Sequence, residues 1–113
     1  MWPSTDNMLD FEQMQAIQKE LQEKYRDKWG GLSPEKARSQ FLWMIAEAGE
    51  AAQIIKKSGD DAIVNDPAVR QHFIEEMCDI LMYFNDVLLS YDIAPEELEN
   101  IYRQKHEKNM HRW

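Results

Sequence analysis

Hydrophobic positions along this chain recur at the three-to-four-residue spacing of amphipathic helices, and no stretch keeps the strict apolar–polar alternation of a half-buried strand. Most of the four glycines and four prolines fall between the periodic segments, where they mark breaks. The pattern therefore predicts an all-α fold, a bundle of four to five helices. We find no internal repeat and no composition shift, so we predict one domain over residues 1–113.

Capping signals set the predicted helix boundaries, because Asp or Ser before a helix and Pro in its first turn favour helix initiation. A narrow apolar stripe predicts the buried face of the first helix, and a polar linker over 59–65 is expected between the second and third. The stripe comprises Met14, Ile17, Leu21 and Tyr25. The four helices are predicted from Asp10 to just before Trp29, Pro34 to about Ser58, Pro67 to about Tyr91, and Pro95 to the end.

The second and third helices carry acidic residues inside segments that are otherwise apolar. Residues 41–55 read FLWMIAEAGEAAQII, and the only charged residues there are Glu47 and Glu50. Residues 77–89 read MCDILMYFNDVLL and include Asp79 and Asp86. A helix that is apolar most of the way round is typically buried on several sides. An uncompensated carboxylate there would cost roughly several kcal/mol, so these acids need a partner.

The spacing of the acids predicts a metal site. Glu47 and Glu50 are three residues apart, as are Glu76 and Asp79, so each pair shares a helix face. If the two helices pack antiparallel through a short linker, all four carboxylates converge. No Lys or Arg lies in either apolar run to neutralise them. Oxygen ligands favour hard divalent cations, and we therefore expect Mg²⁺ or Mn²⁺.

Composition excludes several classes of partner. The chain has 13 Lys and Arg against 21 Asp and Glu, a formal charge of −8, which argues against nucleic-acid polymers and anionic membranes. One cysteine excludes an internal disulfide and disfavours a cysteine-based zinc site. The N-terminal residues lack the basic and apolar regions of a signal peptide, and no apolar run is long enough to span a bilayer. We expect a soluble, cytoplasmic protein.

Three motifs, taken in order, resemble the all-α nucleoside triphosphate pyrophosphohydrolases, the MazG-like and dimeric-dUTPase-like superfamily. That family carries a helix with E-x-x-E, often E-x-G-E, a later helix with E-x-x-D, and a terminal K-x-x-x-N-x-x-R pattern. The resemblance covers roughly residues 10–112, although the first third matches only in helix placement. The matching segments are Glu47-Ala48-Gly49-Glu50, Glu76-Met77-Cys78-Asp79, and Lys105, Asn109 and Arg112.

The resemblance implies a MazG-like bundle and an enzyme that cleaves (d)NTPs between the α- and β-phosphates, releasing the monophosphate and pyrophosphate. The expected role is to clear non-standard or surplus nucleotides. It implies that Mg²⁺ is bound by Glu47, Glu50, Glu76 and Asp79. We assign Glu47 as the general base, since a carboxylate not fully committed to metal can accept a proton from water. Lys105, Asn109 and Arg112 lie on one face of the last helix and would bind the triphosphate.

Several assignments stay open at this stage. Lys57 lies seven residues after Glu50, on the same face of the helix. Lys57 and the basic residues of the last helix either bind phosphate or form solvated faces near helix C-termini. Asp86 either contacts the sugar or base, supports the metal site, or is a polar core residue. The apolar helices need more burial than one chain provides, so we expect a homodimer or homotetramer.

Two other functions fit the same pattern. A phosphoribosyl-ATP pyrophosphohydrolase has a related fold and cleaves the same bond. A helical interaction module without catalytic activity would use the acids structurally.

Overall fold

The structure, a computed structural model, describes residues 8–113. The N-terminal residues on which the signal-peptide prediction rests lie outside this range. Within the described range 86% of residues are helical and none forms a strand, which confirms the all-α prediction. Six helices follow one another: α1 (Phe11–Lys24), α2 (Arg26–Trp29), α3 (Pro34–Ser58), α4 (Asp60–Asn65), α5 (Pro67–Ser90) and α6 (Pro95–Arg112).

The two Asp caps form as predicted, whereas the predicted cap Ser33 makes no side-chain hydrogen bond to the first turn of α3. The Asp10 carboxylate accepts a hydrogen bond of 2.8 Å from the backbone N–H of Gln13, whose side chain accepts one from Asp10 in return. Asp66 caps α5 in the same way and accepts from the N–H of Ala68 at 3.0 Å. The long helices α3, α5 and α6 each carry proline in the first turn.

Two details of the predicted boundaries are wrong. The segment expected as a polar linker forms the short helix α4, because Gly59 turns the chain with a φ of 84° and Asp60 and Asp61 then complement the dipole of its first turn. The first predicted helix divides at Tyr25 into α1 and α2. Gly30, with a φ of 82°, ends α2 in the left-handed conformation that glycine favours.

The apolar stripe predicted as the buried face of α1 is only partly buried, and Ile17 is 48% exposed. Three glutamines are instead the buried residues of this helix: Gln15 and Gln18 are each 3% exposed and Gln22 is 9% exposed. The reason is that α1 packs on α5 beside the buried carboxylate of Asp86, so the contact between these helices is polar.

The most extensive helix contact is between α3 and α5, and α1 and α4 also pack on α5. Helix α6 contacts α1 and no other helix of the described chain. The expected burial of α3 on several sides is not reached in one chain, where Leu42 and Trp43 are 60% and 56% exposed. Among the helices of residues 8–113, none combines the length and apolar character needed to cross a membrane.

Candidate metal centre

The acidic motifs meet where α3 and α5 run antiparallel. The register is clear from the side chains that share a cavity wall: Glu50 lines one cavity with Glu76, whereas Glu47 lines another with Asp79. A later position on α3 therefore faces an earlier position on α5. This is the arrangement that the two i, i+3 pairs predicted.

Three of the four predicted metal ligands converge. Glu47, Glu50 and Glu76 each place one carboxylate oxygen within 4.8 Å of the others. Such a spacing suits oxygens arranged around one hard divalent cation. Asp79 is outside this group of three, although its charge acts on Glu47 and both residues line the same cavity. The residues present therefore fit a cation, with Asp79 at the edge of the site.

Glu76 shows most directly that the site needs a proton or a cation. Its side chain is only 12% exposed, and its Oε2 atom is buried without a hydrogen-bond partner among the described residues. The other oxygen lies 3.4 Å from Nε2 of His72, a contact that is ionic only when the imidazole is protonated. A buried carboxylate oxygen without a donor is costly, so a proton or a metal ion must compensate it.

Glu47 shows the same need in its protonation. A hydrogen bond shared with Glu76, desolvation, and the charges of Glu50, Glu76 and Asp79 raise the pKa of Glu47 from 4.5 to about 7. Without a cation, the cluster thus relieves its repulsion by holding a proton on Glu47. A group with a pKa near neutrality is also suited to accept a proton during catalysis.

A cavity of about 440 Å³ adjoins the acids on the side of Glu47 and Asp79. Its wall combines aromatic rings with carboxamides, which are groups that stack on and hydrogen-bond to planar ligands. Burial and the nearby charges of Glu47, Asp86 and Asp79 raise the pKa of Tyr83, which lies in this wall. The aromatic and amide residues of the wall are Trp29, Trp43, Tyr83, Gln18, Gln22 and Gln40.

Asp86 lies at the same wall and is 4% exposed. It accepts hydrogen bonds from Nε2 of Gln18 at 2.9 Å and from Nε2 of Gln22 at 3.4 Å. Burial raises the pKa of Asp86, and the two glutamine donors partly offset that effect. Of the alternatives left open by the sequence, the structure therefore places Asp86 in the cavity wall and gives it polar partners from α1.

A second cavity, of about 350 Å³, opens on the opposite side of the acids. Glu50 and Glu76 form part of its wall, together with Lys57 and His72. Lys57 is thus near the carboxylates, as its spacing from Glu50 suggested. The acidic cluster therefore borders two cavities. One is rich in aromatic side chains, and the other is lined by the amine of Lys57 and the imidazole of His72.

The terminal basic motif is not brought to this site within one chain. Lys105, Asn109 and Arg112 are all exposed on α6, which packs on α1 alone among the described helices, and none of them lines either cavity. The guanidinium of Arg112 lies over the ring of Trp113, at 4.9 Å from its centroid. In one chain these residues therefore lie apart from the acids.

Three residues of the cavity wall were not predicted from the sequence: Gln18, Gln22 and Gln40. A signal was present for the first two, because Gln15, Gln18 and Gln22 repeat with the helical period next to the apolar stripe. Because glutamine is usually exposed, glutamines at this spacing do not by themselves predict a buried helix face. Gln40 precedes the apolar segment of α3 and gives no comparable signal.

Comparisons with known proteins identify no relative: neither a protein-family model, nor a curated protein, nor a solved structure matches this chain.

Proposed function

We propose that this protein is a Mg²⁺-dependent nucleoside triphosphate pyrophosphohydrolase that cleaves (d)NTPs between the α- and β-phosphates. The observation that carries the proposal is the convergence of Glu47, Glu50 and Glu76, with a buried carboxylate oxygen that lacks a donor. The adjoining aromatic and amide cavity supports a nucleoside as the neighbouring ligand. The three motifs that resemble the MazG-like superfamily point to the same reaction.

In this proposal Glu50, Glu76 and Asp79, with Glu47, hold Mg²⁺ or Mn²⁺. When bound, the metal polarises phosphate oxygens and lowers the pKa of water. The reaction transfers a water oxygen to phosphorus, breaks the bridging P–O bond and releases pyrophosphate. Glu47, which lines the adjoining cavity as well as the acidic cluster, takes the proton from that water.

The two cavities suggest how the substrate lies across the acids. The nucleoside occupies the cavity lined by Trp43 and Tyr83, and the outer phosphates extend towards Lys57. Lys105, Asn109 and Arg112 complete the triphosphate site from a neighbouring copy in a homodimer or homotetramer. This arrangement places positive charge around the phosphates of a ligand that an acidic protein would otherwise repel.

The test is an assay of pyrophosphate and phosphate release from a panel of (d)NTPs with Mg²⁺. We expect pyrophosphate release that EDTA abolishes and that falls at least about 100-fold in Glu50→Gln and Asp79→Asn, since each loses a charged ligand. Glu75→Gln is the matched control, because Glu75 is exposed on α5 and, among the described residues, accepts a hydrogen bond only from Gln71. Turnover retained in both site variants would contradict the proposal.

The same assay separates the alternative functions. Phosphoribosyl-ATP, offered in competition with the (d)NTP panel, distinguishes the related pyrophosphohydrolase by its preferred substrate. A non-catalytic helical module predicts no turnover and no effect of Mg²⁺ on thermal stability, whereas a ligand that binds the native state must raise it.

A further inference from the structure

We infer that His72 and Glu76 form a second cation site at the edge of the cavity of about 350 Å³, and that this site takes a first-row transition ion such as Zn²⁺ in preference to Mg²⁺. The ligands are Nε2 of His72 and Oε1 of Glu76, one turn apart on α5, with Glu50 of α3 in the same cavity wall. The proposed hydrolase uses oxygen ligands alone, so this nitrogen site goes beyond it and shares only glutamate ligands with it.

The distance between His72 and Glu76 is too long for a good hydrogen bond. Their facing atoms, Nε2 and Oε1, lie 3.4 Å apart, whereas an N–H donor and its oxygen acceptor are usually about 2.9–3.0 Å apart. A pair of the same residue types on α6, His111 and Glu107, does close to 2.8 Å. Both pairs are four residues apart on a helix, so the wider separation is particular to the pair on α5.

That distance suits two ligands of one small cation. Bonds from Zn²⁺ to nitrogen and oxygen are about 2.0–2.2 Å long, which places neighbouring ligands of a tetrahedral ion roughly 3.3–3.5 Å apart. A cation can therefore bind to Nε2 and Oε1 together with little change in their separation. Side chains four residues apart project from one face of a helix, so both groups are held on the same side of α5.

Glu76 creates the need for a cation, and His72 is accessible to one. The second oxygen of Glu76 is buried without a hydrogen-bond partner among the described residues, so the charge of this carboxylate is poorly compensated. The side chain of His72 is 60% exposed, which leaves its other ring nitrogen accessible to water. Lys57 lines the same cavity, but the carboxylates of Glu50 and Glu76 outnumber its one positive charge.

The imidazole nitrogen determines which cation is preferred. Mg²⁺ favours oxygen ligands and retains its waters, whereas imidazole is a common ligand of Zn²⁺ and its first-row neighbours. The nitrogen site adjoins the three-oxygen group of Glu47, Glu50 and Glu76 but does not coincide with it, since His72 lies outside that group. Glu76 belongs to both, so its two oxygens can serve neighbouring cations.

The test is a titration with Zn²⁺ followed by long-range ¹H–¹⁵N NMR, which resolves the imidazole nitrogens of the three histidines. We expect Nε2 of His72 to shift with Zn²⁺ and to keep its position with Mg²⁺. In calorimetry, His72→Gln should weaken Zn²⁺ binding by about tenfold or more, since even residues that only orient a ligand contribute that much, and should leave Mg²⁺ binding unchanged. An Nε2 resonance that stays in place at saturating Zn²⁺, or native Zn²⁺ affinity in His72→Gln, would overturn the inference.

His111→Gln is the matched control. It removes the other His–Glu pair, which is exposed on α6 and lines neither cavity beside the acids, so Zn²⁺ affinity should stay at the native value. Cys78→Ser removes the single thiol, which is also a zinc ligand by type but lines other cavities, and should leave the affinity unchanged as well. A loss in either control as large as that in His72→Gln would assign the ion elsewhere and contradict the site. Circular dichroism establishes that each variant is folded.

These measurements need no turnover, so their failure is distinct from failure of the proposed function. Zn²⁺ bound at His72 with no (d)NTP hydrolysed would support this site and overturn the pyrophosphohydrolase. Pyrophosphate release with Mg²⁺, together with a His72 resonance that Zn²⁺ does not shift, would support the pyrophosphohydrolase and overturn this site.

Discussion

Glu47 is the residue at which protonation, metal binding and stability are coupled. Its pKa is about 7 in the folded chain and 4.5 ordinarily, because it shares a proton with Glu76 and faces two further carboxylates. The folded state therefore binds this proton more tightly than the unfolded state does. Between these two values, metal-free protein loses stability as the pH rises, since the favourable proton is progressively removed.

Magnesium should show the opposite trend. It competes with the proton for the same oxygens, so its stabilising effect should grow as the pH rises from about 5 to 7 and then level off, following the pKa of Glu47. Thermal denaturation at several pH values, in EDTA and in Mg²⁺, measures both trends. Glu47→Gln should flatten the pH dependence in EDTA, and an unchanged slope in that variant would assign the effect to other groups.

The acidic residues of the site could be predicted from the sequence, whereas its glutamines could not. Glu47, Glu50 and Glu76 could be predicted because carboxylates in an apolar segment have few inexpensive environments. Gln18 and Gln22 could not be predicted, because a neutral amide can form hydrogen bonds either with water or with a buried carboxylate. Their role depends on Asp86, which is distant in sequence and near only in the fold.

The same contrast holds for the helices themselves. The bounds of α3 and α5 follow from local capping and proline chemistry, and the predicted positions match closely. The buried face of α1 depends on which side of α5 it meets, and hydrophobic periodicity carries no information on that choice. The packing of α1 on α5 therefore determines the buried face of α1, which the sequence pattern of α1 alone does not.

Helix α6 gives a prediction at this scale. Its residues from Ile101 onward are exposed, and within residues 8–113 it packs only on α1, yet an isolated helix of this length is marginal in water. We expect its amides to exchange hydrogen quickly in dilute protein and to be protected at higher concentration, when a second copy covers it. Hydrogen-exchange mass spectrometry over a dilution series measures this, with α5 as the internal reference.

Protection of α6 that does not change with concentration would contradict that explanation. It would mean that contacts with α1 alone hold the helix. The terminal basic motif would then have no route to the acids through a second chain, and Lys57 would be the cation left for the phosphates.

For the whole molecule the notable quantity is apolar surface. Phe41, Leu42, Trp43 and Ile45 of α3 are all about half exposed or more. A second apolar region surrounds Cys78 on α5, together with Ile74 and Met77. Contiguous patches of this kind are rare on monomers and usually mark contacts with another protein.

We therefore predict that the chain is a homo-oligomer and that Leu42 lies in its interface. Leu42→Glu should shift the mass measured by light scattering towards that of the 13.4 kDa monomer, because a buried charge opposes association. Val64→Glu is the matched control: Val64 is 62% exposed, much like Leu42, but lies apart on α4. The single cysteine provides a local probe, because Cys78 is exposed in one chain. If a second copy covers the α5 region in the oligomer, a thiol reagent should modify Cys78 faster in Leu42→Glu than in the native protein. A native protein that is monomeric at micromolar concentration would contradict the prediction, and it would also remove the source of the second α6 that the triphosphate site requires.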